Sequence, residues 1–101
     1  MLRSVQGYHH CVQARVDDGL AAVASLARES PGALDYLIVD AGADDASLAM
    51  SCPPAPFLEA GFLGAAAAAL RRDGLLAVNC VARAYAPVQA AVRMLQVRIF
   101  Y

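Results

Sequence analysis

The chain has 101 residues, enough for one small domain, and it is 59% hydrophobic, so a core is affordable in residues. Its formal charge is −1 at pH 7, with no basic run or stripe, which argues against nucleic-acid binding as its main task. No stretch reaches the roughly 18 uninterrupted apolar residues of a membrane helix. The longest candidate, Phe57 to Leu70, is cut by Glu59, Gly61 and Gly64.

Residues 1–9 read as an irregular tail without the apolar region of a signal peptide. His9 and His10 are adjacent in that tail, and neighbouring residues rarely share one metal, so a solvated tail is the reading. The cysteines at 11, 52 and 80 show no metal-ligand spacing. Their odd number suits free thiols in a reducing compartment. The expectation is a soluble, cytoplasmic protein with no metal site.

From Cys11 to Asp17 apolar and polar residues alternate, with Val12, Ala14 and Val16 on one side. Period two predicts a half-exposed strand at a sheet edge. Asp18-Gly19 closes it. Leu20, Val23, Leu26 and Ala27 then recur at helical spacing, predicting a helix near 19–29 that Ser30-Pro31-Gly32 stops. Asp18 has two readings: an N-cap accepting from exposed backbone N–H groups, or a polar contact to a ligand at this strand-to-helix junction.

Tyr36 to Val39 is apolar on both faces and predicts a buried strand closed by Asp40. The loop that follows, to Pro54, is long for a strand-to-helix connection and holds Asp44, Asp45, Ser51, Cys52 and Pro53. A helix near 56–72 follows, with Pro56 in its first turn and Leu58, Phe62, Ala65 or Ala66, and Ala69 on one face. Asp73-Gly74 reads as a turn in which Gly74 takes positive φ. Residues 75–81 predict a third strand. Pro87 to Gln96 predicts a helix with Val88, Ala91, Val92 and Leu95 inward, and Val97 to Tyr101 the start of a strand.

Strands alternating with helices predict an α/β fold with a mainly parallel sheet and crossover helices. In such sheets ligands bind beyond the carboxyl ends of the strands, which makes Asp40 the first candidate. A carboxylate there can orient an amine or accept its proton, or it can face a cationic centre. The bland alternative for Asp40, Asp44 and Asp45 is a solvated acidic turn. Cys52 has no His or Lys beside it in sequence to activate a thiol, so packing is the simpler role. No Gly-rich phosphate loop and no G-x-S-x-G elbow occurs.

Four segments carry a resemblance: Asp18-Gly19-Leu20, residues 35–40, residues 48–57 with their Met-Ser-Cys-Pro-Pro run, and residues 74–83 with Val78-Asn79-x-Val81-x-Arg83. Together they resemble the spermidine-synthase-like S-adenosylmethionine-dependent methyltransferases, over about residues 11–83. The resemblance implies an incomplete Rossmann-like fold in three layers, with 11–17, 36–40 and 75–81 as the family's third, fourth and fifth strands. It implies S-adenosylmethionine as cofactor, contacted by Asp18, Gly19 and Asp40. Asp40 would be the catalytic carboxylate beside the methyl donor and the acceptor amine. A substrate loop would hold Asp44, Ser51, Cys52, Pro53 and Pro54. The implied substrate is a protein, a translation elongation factor.

The family's first strand, with its Gly-rich loop, and its second strand have no counterpart in the chain. They lie between the third and fourth strands, so a gap roughly 10 Å wide is expected unless 11–17 pairs directly with 36–40. The whole chain, 1–101, is thus expected to be one partial methyltransferase domain, divergent over 84–101, and self-association through exposed strand edges is open to it. Two other functions remain: an aminopropyltransferase, against which the Cys52-Pro53-Pro54 loop speaks, and a non-catalytic fragment acting as an interaction module.

Overall fold

The computed structural model describes residues 2–4, 12–42, 50–82 and 85–99. Helix α1 spans Gly19–Glu29 and starts where a cap is expected: the Asp18 carboxylate accepts from the Leu20 N–H at 3.0 Å. It ends as the Ser30 N–H donates to the Leu26 carbonyl at 2.8 Å. Gly32, at φ 70°, then turns the chain, and its N–H reaches the Ala68 carbonyl at 2.9 Å. Val23 is buried and Leu20 packs beside it, on the face that the helical spacing predicts.

Two strands form the parallel pair: β3, Leu34–Val39, and β5, Leu70–Val78. Tyr36 faces Leu75, Leu37 faces Leu76, Ile38 faces Ala77 and Val39 faces Val78. Parallel neighbours need a long crossover. Here it contains β4 (Met50–Cys52), a 3₁₀ turn over Ala55–Leu58, and α2 (Ala60–Ala69). The single helix expected near 56–72 is therefore divided. Glu59 is extended, at φ −83° and ψ 156°, and breaks it after the proline-rich turn. At the other end Leu70 is already extended and opens β5.

The start of β5 also differs from expectation. The ladder steps from Leu34↔Leu70 straight to Tyr36↔Leu75, so the residues from Arg71 to Gly74 bulge out. The positive φ, 66°, falls on Asp73 and not on Gly74. Gly74 is needed for a different reason: a Cβ there would sit 2.9 Å from the Arg71 carbonyl oxygen and 3.2 Å from that of Asp35. Arg71 Nε reaches Asp35 Oδ1 at 2.8 Å across the bulge. The strand expected over 75–81 is likewise two strands. After Val78 the chain leaves the parallel ladder, and β6 (Val81–Ala82) pairs antiparallel with β4, Met50 facing Ala82 and Cys52 facing Val81.

Residues 11–17 do not join the sheet. The strand there is β2, Gln13–Arg15, and it pairs antiparallel with β1, Leu2–Ser4, inside the segment expected to be irregular. Among the described residues nothing covers the apolar side of its alternation; Val16 is 82% exposed. Its backbone partners come from β1 and not from β3, which meets the demand for hydrogen bonds without closing the gap.

The core lies where α1 and α2 pack together and against one face of β3 and β5. Val23, Val39, Phe62, Leu63 and Ala66 are buried, and Leu37, Phe57, Leu76 and Val78 pack onto them. On the opposite face Tyr36, Ile38 and Leu75 are 65%, 73% and 52% exposed. Among the described residues this sheet thus has two layers, not three. The fold is mixed α/β, and the described residues form one parallel pair and two antiparallel pairs in place of a mainly parallel sheet.

Helix α3 spans Tyr85–Ile99, so the strand expected from Val97 is helical through Ile99; residues 100 and 101 lie outside the described set. Ala91 is buried and Leu95 packs on the core, but Val92, expected inward, is 44% exposed. Ala91 and Leu95, four apart, define the inward line, and Val92 sits one step round from it. Among the described residues no helix is long and apolar enough to cross a membrane.

Candidate functional site

The carboxyl end of β3 opens onto a cavity of about 240 Å³. Its walls include Gly19, Val23, Val39, Asp40, Phe57 and Phe62. Gly19 begins α1 and Asp40 directly follows β3, so two distant candidate residues meet on one cavity. Asp18 does not line it. Its Oδ1 is engaged at the helix cap, one residue away.

Asp40 is exposed, and its Oδ1 accepts from Asn79 Nδ2 at 3.0 Å. The Asn79 N–H donates to the Val39 carbonyl at 2.9 Å. The two strand ends are therefore tied once by main chain and once by side chain. Phe57 and Phe62 form the apolar wall, their rings edge to face with centroids 5.0 Å apart. A Cβ on Gly19 would lie 3.6 Å from the Phe57 ring, ordinary contact distance.

The Ser51 to Pro54 segment supports this wall from behind. Ser51 Oγ lies 3.3 Å from the Val81 carbonyl and donates to it, bracing β4 against β6. Pro53 is fully buried. The Pro54 carbonyl accepts from the Phe57 N–H at 3.0 Å, closing the turn that brings Phe57 to the cavity. Cys52 Sγ sits 3.6 Å from where a Gly42 Cβ would be, beside the chain leaving Asp40. None of these four residues lines the cavity. Asp44, Asp45, His9, His10 and Cys11 lie outside the described residues. Among the described residues no cluster of His, Cys, Asp or Glu could hold a metal.

Sequence reasoning passed over Phe57, Phe62 and Asn79 as site residues. Asn79 had a signal: it is the polar residue that ends the apolar run 75–78, as Asp40 ends 36–39. A larger surface cavity, about 360 Å³, runs along α3 beside Val88, Gln89, Val92 and Arg93. Among the described residues its lining includes no carboxylate and no strand end, so the smaller cavity is the stronger candidate.

Seven-tenths of the chain is homologous to a short segment of known methyltransferases. The relatives are eEF1A lysine and N-terminal methyltransferases. That of Mus musculus is 36% identical over 72 residues, 71% of this chain and 10% of the relative. That of Homo sapiens is 35% identical over 74 residues, 71% of this chain and 11% of the relative. That of Xenopus laevis is 36% identical over 66 residues, 65% and 10% respectively. The chain thus spans about a tenth of the length of the curated relatives that it matches. No family model and no solved structure matches it significantly.

Proposed function

We propose that the chain carries part of an S-adenosylmethionine-dependent protein methyltransferase, of Rossmann-like ancestry, and that the strand-end cavity is a portion of its cofactor and acceptor site. The observation that carries this reading is the meeting of Gly19 and Asp40 on one cavity at the carboxyl end of β3, a strand of the parallel pair. The names of its relatives support a methyltransferase and an acceptor amine on the elongation factor eEF1A.

The residues present fit part of such a cofactor. Apolar walls with two phenyl rings suit a flat base, and one carboxylate at the rim suits a cationic centre or an amine. The volume, about 240 Å³, is below the 300–1,000 Å³ common for whole-ligand pockets, which suits a portion of the ligand. Gly19 leaves the α1 end open to the base, and Asp18 adds a carboxylate next to it. The bound cofactor supplies a methyl group on a positively charged sulfur. Asp40 orients the acceptor amine and receives its N–H on Oδ2. Alignment of amine and methyl is the main catalytic device in this scheme. Ser51 to Pro54 act indirectly, through the turn that holds Phe57 at the cavity.

The test is binding of S-adenosylmethionine to the whole chain by calorimetry, with wild type beside Asp40→Asn, followed by transfer of labelled methyl to eEF1A. Saturable binding is expected, and transfer lower by about a hundredfold in the variant. A wild type that binds no cofactor overturns the reading for this chain. Turnover of decarboxylated cofactor with putrescine would replace it with aminopropyl transfer.

A further inference from the structure

Two polar side chains close the parallel pair. Asp40 stands one residue past Val39 and Asn79 one past Val78, and those valines face each other in register. The Asn79 main-chain N–H, bonded to the Val39 carbonyl at 2.9 Å, fixes its backbone against β3. The side-chain bond to Asp40 Oδ1 at 3.0 Å is therefore set by the ladder and not by a free loop. The amide has one sensible orientation. Reversed, its oxygen would face a carboxylate oxygen with no proton between them.

The choice of an amide has chemical consequences. An Arg or Lys here would also hold the carboxylate but would compete, by its charge, with a cationic ligand. Asn79 holds one oxygen and leaves the negative charge for the ligand. Among the described residues no other side chain is within hydrogen-bond distance of the Asp40 carboxylate, and Asp40 lines the cavity.

We infer that Asn79 is a positioning residue: it holds Asp40 Oδ1 so that Oδ2 is presented to a cationic or N–H-bearing group in the cavity. The identity of that group rests on the methyltransferase reading; the contact itself does not.

The experiment uses the full chain, isotopically labelled, in wild type, Asn79→Ala, Asn79→Ser and Asp40→Ala forms. The first readout is nuclear magnetic resonance. The Asn79 side-chain amide signals are expected to lie downfield and to exchange slowly with solvent, as a bonded amide does, and to lose both properties in Asp40→Ala. The second is calorimetric affinity for S-adenosylmethionine against its neutral product, S-adenosylhomocysteine. Asn79→Ala is expected to bind the cation roughly threefold to tenfold more weakly, with a smaller change for the product. Asn79→Ser, a shorter donor, should recover part of the loss. Amide signals that ignore Asp40, or an Asn79→Ala chain that binds the cation as wild type does, would overturn the inference. If wild type binds neither compound, the methyltransferase reading fails for this chain, and the response of the Asn79 amide signals to Asp40→Ala alone decides the contact.

Discussion

Asp18 has a structural task that can be separated from any ligand. The first N–H groups of a helix have no partner within it, and Oδ1 of Asp18 meets one of them at Leu20. Its neighbour Asp17 is occupied elsewhere, accepting from the Asp18 N–H at 2.8 Å and pairing with Arg15 at 3.2 Å, so it is no substitute. Asp18→Ala is expected to lower the unfolding free energy by about 1 kcal/mol, whereas Asp18→Asn, still an acceptor, should cost little. Urea denaturation measures both. The same pair separates the two roles of the residue. If the charge serves only the cap, Asp18→Asn leaves cofactor affinity unchanged; if it meets the cofactor, affinity falls while stability holds.

At the scale of elements, the bulge in β5 decides the register of the parallel pair. It lets Leu70 meet Leu34 while Leu75 meets Tyr36, and it depends on carbonyl oxygens approaching Gly74 closely. Gly74→Ala must push a methyl to 2.9 Å from the Arg71 oxygen, which is main chain and cannot swing away. A loss of about 1–3 kcal/mol is expected on thermal unfolding. Asn or Asp at 73 suits the left-handed φ there, so Asp73→Asn should be close to neutral. The bulge also shows why part of the fold was not legible. Arg71 and Arg72 continue a helical pattern in sequence, yet they lie in β5, beside a strand distant in the chain to which Arg71 is tied through Asp35. Elements set by local signals were readable: α1 from the Asp18 cap and its apolar spacing, and the buried face of α2 from Phe62, Ala66 and Ala69. The β2 segment was readable as a strand but not in its partner, because pairing with Leu2–Ser4 leaves no trace in alternation. Val97 and Ile99 are β-branched and suggest a strand, yet the preceding helix simply continues through them. In the site, Asp40 was legible as a charge ending an apolar run. The partnership with Asn79 was not, because it depends on the Val39↔Val78 register.

For the whole molecule, the main consequence of the topology is a sheet that the described residues cover on one side only. Two strands alone are marginal in water, so β3 and β5 depend on α1 and α2 for their stability. Leu37 and Leu76 face that support, while their neighbours Tyr36 and Leu75 pair on the open side. The two sides should respond differently to the same chemical change. Threonine keeps strand propensity while removing apolar surface, so it tests burial more than backbone preference. The pair Tyr36→Thr with Leu75→Thr gives up one cross-strand contact between exposed residues and should cost less than about 1 kcal/mol. Leu37→Thr removes packing from the core and places a hydroxyl there, and should cost about 2 kcal/mol or more. Chemical denaturation gives the two stabilities, and dye binding with light scattering reports the open face. The outer pair should reduce both dye binding and concentration-dependent scattering while the chain stays folded, because an apolar patch beside an unpaired strand edge favours association. Equal destabilisation by the outer and inner variants would mean that Tyr36 and Leu75 are covered in solution, and the two-layer description of the sheet would fail.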